Sequence, residues 1–107
     1  MMNDRFKFRF FNEYSNKLEF CDDYDLKDIF ESGNPVMQCT GLKDKNGKLI
    51  YEADIVKHSK SNQQYKVQWN DKGFWQLDDY AMARSSKFLE ENYEVIGNIY
   101  ENKELLE

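Results

Sequence analysis

The residues best equipped for chemistry in this chain are Glu52, Asp54 and His58. Two carboxylates two residues apart share one side of a regular strand, a spacing that can build paired acid–base chemistry. His58 is the single imidazole. As a general base it would need a nucleophile and an orienting group that only the fold could bring to it. An ordinary polar strand face has the same spacing, and Lys57 and Lys60 give His58 a small basic neighbourhood rather than a triad. Metal chemistry has less support still. Cys21, Cys39 and His58 are too scattered for zinc. Asp22, Asp23, Asp25 and Asp28 lack the glycine and closing glutamate of a calcium loop. Gly41, Gly47 and Gly73 are separate turn glycines without a phosphate-cradling pattern. The expectation is a noncatalytic protein with no metal and no cofactor.

Binding chemistry has more to work with. Eight Phe, seven Tyr and two Trp crowd a chain of 107 residues, more aromatic surface than one small core absorbs. The candidate interaction surface comprises Phe11, Tyr51, Tyr65, Trp69, Phe74 and Trp75, four of them close together around one hairpin. Such a surface suits a protein partner or a second copy of the chain. Lys43, Lys45, Lys48, Lys57, Lys60, Lys66 and Lys72 are interleaved with these aromatics, the pairing that single-strand nucleic-acid binders use. The net charge of -5 and the nearby acids Asp44, Glu52, Asp54 and Asp71 make nucleic acid the weaker alternative.

The elements that must position these residues are short strands. Phe6-Lys7-Phe8-Arg9-Phe10 alternates with the period of a half-buried strand, predicting Lys7 and Arg9 in water and Phe11 on the outer face. A strand pair over 5–11 and 17–21 follows. Leu26, Ile29 and Phe30 then sit at helical spacing for two turns, until Ser32-Gly33-Asn34-Pro35 stops them. Val36–Thr40 reads as a strand, 41–48 as a polar excursion ending in the Asn46-Gly47 turn, and Leu49–Tyr51 with Asp54–His58 as a strand pair or one bent strand. Tyr65–Trp69, a tight turn at 70–73 and Phe74–Leu77 make the best complete hairpin. Val95, Gly97 and Ile99 mark a last strand before a charged tail where Leu105 and Leu106 could dock.

Turn signals every eight to twelve residues predict an all-β fold, a small barrel or roll with short helical insertions, as one domain over 1–107. No run approaches the length of a membrane span. The two cysteines make no disulfide framework and no secretory leader precedes them, so a cytoplasmic protein without a membrane is expected.

Three segments in order, TGLKDKNGKLIYEADIV, YKVQWNDKGFWQL and EVIGNIYEN, resemble the YopX family of bacteriophage and prophage proteins, as does the opening KFRFF followed by NKLEF. The resemblance implies a small phage-encoded protein with an SH3-like barrel or related roll, in the cytoplasm of a bacterial host. It makes a host or phage protein the natural partner, with self-association as the other choice, and licenses no enzyme assignment. The family signature usually reads Tyr-Glu-Gly-Asp, whereas this chain has Tyr51-Glu52-Ala53-Asp54. If that position needs positive φ, Ala53 adds strain of order 1–2 kcal/mol. Glu101-Asn102-Lys103 likewise replaces the commoner Glu-Asn-Pro, removing a fixed φ where the strand ends.

Overall fold

The computed structural model describes residues 7–21, 26–69, 75–77, 80–81 and 90–106. Strand β1 (Phe8–Asn12) turns into β2 (Lys17–Phe20), and the short helix α1 (Leu26–Glu31) follows. The remaining strands are β3 (Val36–Lys43), β4 (Leu49–Tyr51), β5 (Asp54–His58), β6 (Gln64–Trp69), β7 (Trp75–Leu77), β8 (Tyr80–Ala81) and β9 (Tyr93–Asn98). They form two antiparallel sheets, ordered β2-β1-β3-β4 and β8-β7-β6-β5-β9. The fold is β-dominated as expected, but its strands curl without fully closing into a barrel. The predicted hairpin is present, with Val67 opposite Leu77 and Trp69 opposite Trp75; its turn lies outside the described residues.

Strand β1 departs from the alternation. It is an interior strand, paired on both edges with β2 and β3, and both of its faces are covered. Phe10 packs with Cys21 and Ile29 beneath α1, with Phe8 and Val36 against them. On the other face Phe11 joins Met37 and Ala53. Arg9, expected in water, is only 5% exposed. Alternation reports one wet face only when one face meets water, and here the second sheet closes over it.

The two sheets are joined where the chain leaves β4 and enters β5. Ala53 occupies this corner at φ 73°, donates its N–H to the Val67 carbonyl at 2.9 Å and accepts from Ile99 N–H at 3.0 Å. Leu49–Tyr51 and Asp54–His58 are therefore neither a strand pair nor one bent strand; they belong to different sheets. Across the corner, Arg9 Nη2 meets Asp54 Oδ1 at 2.6 Å. Asp54 Oδ2 accepts from Tyr51 N–H at 2.7 Å. The Arg9 guanidinium lies 4.7 Å from the centre of the Tyr51 ring. Burial lifts the Asp54 carboxyl above its usual range, opposed by the Arg9 charge and the Tyr51 N–H.

Strand β3 runs three residues beyond its expected end because a bulge at 40–42 lets it continue opposite β4. Thr40 Oγ1 fills the gap, donating to the Ile50 carbonyl at 2.7 Å and accepting from Leu42 N–H at 3.0 Å. The following turn is organised by Asp44. Its Oδ1 accepts from Asn46 and Lys48 N–H, both at 2.9 Å, and its Oδ2 from Val95 N–H at 2.9 Å. At the far end, Asn98 Oδ1 accepts from Tyr100 and Glu101 N–H. A Cβ at Gly97 would stand 2.6 Å from Asn102 Oδ1 and 3.0 Å from Leu105 Cδ1, so the docked end of the chain needs glycine there. The charged tail forms a short 3-10 helix, Lys103–Leu106, with Leu105 beside Gly97.

Two stability predictions follow from the corner. Ala53→Gly relieves a positive φ worth about 1–2 kcal/mol and loses one buried methyl worth about 0.8 kcal/mol. Thermal unfolding should show a net gain of up to about 1 kcal/mol, several degrees in Tm; a lower Tm would mean that methyl packing outweighs the strain. Asp54→Asn leaves the Arg9 charge buried without its counter-charge and should cost about 3–5 kcal/mol in denaturant titration. Adding Arg9→Met to that variant should cost less than the two changes summed, and strict additivity would show that the ion pair contributes no coupling.

Candidate functional site

The acids and histidine considered for catalysis do not converge. Asp54 is committed to Arg9 and Tyr51 inside the protein. Glu52 lies in the corner turn, where its Oε1 accepts from Gln38 N–H at 3.3 Å. Positive φ at Ala53 breaks the regular strand that would have put both carboxylates on one side. His58 is at the other end of β5, about 13 Å along the strand from Asp54. Its Nδ1 accepts from Lys60 and Ser61 N–H at 3.1 and 3.3 Å, closing the turn after β5, and its ring meets Tyr93 edge-on. Among the described residues no group of three or more His, Cys, Asp or Glu side chains could hold a metal ion.

The aromatic candidates divide by burial. Phe11, expected on an outer strand face, is buried and stacked on Tyr100 at 5.3 Å. Tyr51 is also buried, between Arg9 and the ring of Phe20 at 5.9 Å. Phe11 is covered from the side of the second sheet, as Arg9 is, by Ala53, Ile99 and Tyr100, whereas Tyr51 is covered by Arg9 and Phe20 of its own sheet. Tyr65 is half-buried; its hydroxyl donates to Gln63 Oε1 at 2.7 Å and its ring leans edge-on against Tyr93. Trp69 is 51% exposed at the end of β6. Phe74 and the side chain of Trp75 lie outside the described residues. The structure adds Phe20 and Phe30 as exposed aromatics, which the sequence placed in a strand and a helix without showing their outer position.

The lysines are spread rather than gathered. Lys43, Lys45 and Lys48 stand exposed on the β3–β4 hairpin and Lys60 on the turn after β5, while Lys57 and Lys66 are half-buried. Lys45 Nζ lies 3.4 Å from Glu94. Lys72 lies outside the described residues.

A feature the sequence did not disclose is the cleft around Tyr100. On one side Ile99 and Tyr100 border a cavity of about 150 Å³ with Met37, Glu52, Ala53, Lys66 and Gln68. On the other they border a wider hollow of about 460 Å³ with Phe11, Glu13, Asn16 and Lys103. Tyr100 reads as a strand residue in EVIGNIYEN, but it follows β9 in a turn set by Asn98. Burial first, then the charges of Glu52 and Glu13, raise its phenol above the usual value, with Arg9 opposing. The group therefore remains a hydrogen-bond donor at any physiological pH.

Because the folded-state value is raised above 10, the stability that Tyr100 contributes is present below pH 10 and lost as pH rises through that value. Tyr100→Phe keeps the ring on Phe11 and should remove one tyrosinate transition above the ordinary phenol range from an ultraviolet titration. The variant should also lose less stability than the parent above pH 10; a tyrosinate curve unchanged by the substitution would contradict this assignment.

The crystal structure of protein EF1440 from Enterococcus faecalis is similar to this fold, with a TM-score of 0.69 and 26% identity over 94% of this chain and 97% of that one. No curated protein matches the chain. The family signature covers nearly all of it, including the Ala53 corner and the Asn98 turn: residues 3–107 match the YopX protein family, and the chain belongs to that family.

Proposed function

We propose that this YopX-family chain is a noncatalytic accessory protein of a bacteriophage or prophage that binds another protein through an SH3-like roll in the cytoplasm of the bacterial host. One observation carries the reading. The side chains best suited to chemistry are spent on backbone hydrogen bonds or ion pairing, as at Asp44, Asp54 and His58, while Trp69 is left half in solvent. An exposed tryptophan is the kind of anchor from which protein interfaces draw most of their energy. The partner is a host or phage protein, with a second copy of the chain as the other choice. No helix among the described residues is long and apolar enough to cross a membrane.

Nucleic acid is the alternative, favoured by the exposed Lys43, Lys45 and Lys48 on one hairpin and opposed by the net charge of -5.

The test is affinity capture with the parent and Trp69→Ala proteins from bacteria carrying the replicating phage. A specific protein should be recovered by the parent and bound at least about 30-fold more weakly by the variant, as a hot-spot truncation of about 2 kcal/mol requires. Capture that ignores Trp69 while the variant keeps its native circular dichroism would reject this surface. Retention of single- or double-stranded nucleic acid at about 50 mM salt, lost as salt rises, would favour the alternative.

A further inference from the structure

Strand edges in this fold are treated unequally. β9 ends the second sheet, and the Asp44 loop covers it: Lys45 N–H donates to the Tyr93 carbonyl at 2.8 Å and Val95 N–H to Asp44 Oδ2 at 2.9 Å. β4 ends the first sheet and is only three residues long. β2 is the last strand of the first sheet on its other side among the described residues. It is four residues long and pairs with β1 in unbroken register, with neither proline nor bulge to turn its edge away.

The side chains of β2 form a self-complementary pattern. Opposite β1, Lys17 faces Asn12 and Leu18 faces Phe11, so Lys17 and Glu19 share one face and Leu18 and Phe20 the other. Glu19 is held in place by Asn12 Nδ2, which donates to its Oε2 at 2.5 Å. Phe20 is 55% exposed.

We propose that two copies of this chain pair β2 to β2, antiparallel across a two-fold axis through Leu18, to make one continuous sheet. This register sets Lys17 opposite the partner's Glu19 and Glu19 opposite the partner's Lys17. Leu18 faces its own counterpart, and Phe20 lies diagonally against the partner's Leu18, within aromatic reach. A shift of two residues either way puts Lys17 on Lys17 or Glu19 on Glu19 at the axis. A shift of one residue exchanges the faces and sets apolar against charged side chains. The sequence Lys-Leu-Glu-Phe thus selects a single pairing. The proposal names a second copy as a partner and makes no use of Trp69, so the two surfaces fail separately.

The test is light scattering of the parent chain, Lys17→Glu, Glu19→Lys and their equimolar mixture, at about 10–200 μM, a range that brackets weak dimers. The parent should reach twice the 12.9 kDa of one chain. Each single variant should dimerise at least about tenfold more weakly, since two like-charge pairs replace two opposite ones. The mixture should dimerise again, because a chain with two acids then meets one with two lysines. A parent that stays monomeric, single variants as dimeric as the parent, or a mixture that stays monomeric would each overturn the proposal. Should a single variant lose its native circular dichroism, Lys17→Glu/Glu19→Lys carries the test: it must pair with itself and refuse the parent chain.

Discussion

The ion pair between Arg9 and Asp54 is the constraint on which the rest of the structure depends. Arg9 comes from an interior strand of the first sheet, and Asp54 is the first residue of the second. Their contact fixes how one sheet sits over the other. Two buried charges cost several kcal/mol in lost hydration, so the pair holds only if its remaining hydrogen-bonding capacity is used. Much of it is. Tyr51 N–H binds the second carboxylate oxygen, the Glu52 carbonyl accepts from Arg9 Nη2 at 3.3 Å, and the Tyr51 ring lies against the guanidinium. Arg9 Nε is the exception, buried without a hydrogen-bond partner. The arrangement favours one geometry of the corner more than it adds stability.

Around that corner, polar side chains satisfy backbone groups that two short, open sheets leave over. Asp44 gathers three N–H groups from two segments 51 residues apart and so ties the β3–β4 hairpin to the edge of β9. Asn98 does the same for the turn after β9, and His58 for the turn after β5. Each is a buried or half-buried acceptor whose removal would leave amides without partners. Residues that look reactive in a one-dimensional reading, Asp44 and His58 among them, thereby hold backbone amides. The outer surface carries exposed aromatics, a hairpin with three lysines, and the cleft around Tyr100.

Much of the architecture was legible in the sequence because it rests on local rules. The Asn46-Gly47 turn, the β6–β7 hairpin, the two-turn helix ended at Ser32-Gly33 and the β-dominated class all follow from turn chemistry and period-two alternation. So did the doubt over Ala53, where a departure from the usual glycine marked a position whose φ is indeed positive.

Tertiary structure alone decided which faces of these strands meet water. Alternation in Phe8–Phe11 is compatible with one wet face, yet the second sheet buries Arg9 and Phe11. The residues that bring that sheet across lie more than forty positions further along the chain. The same long-range closure assembled the Tyr100 cleft from β1, β3, β6, the Ala53 corner and the residues after β9. Local propensity sets the period of a strand. Whether its second face is solvent or protein depends on contacts that no short window of sequence contains.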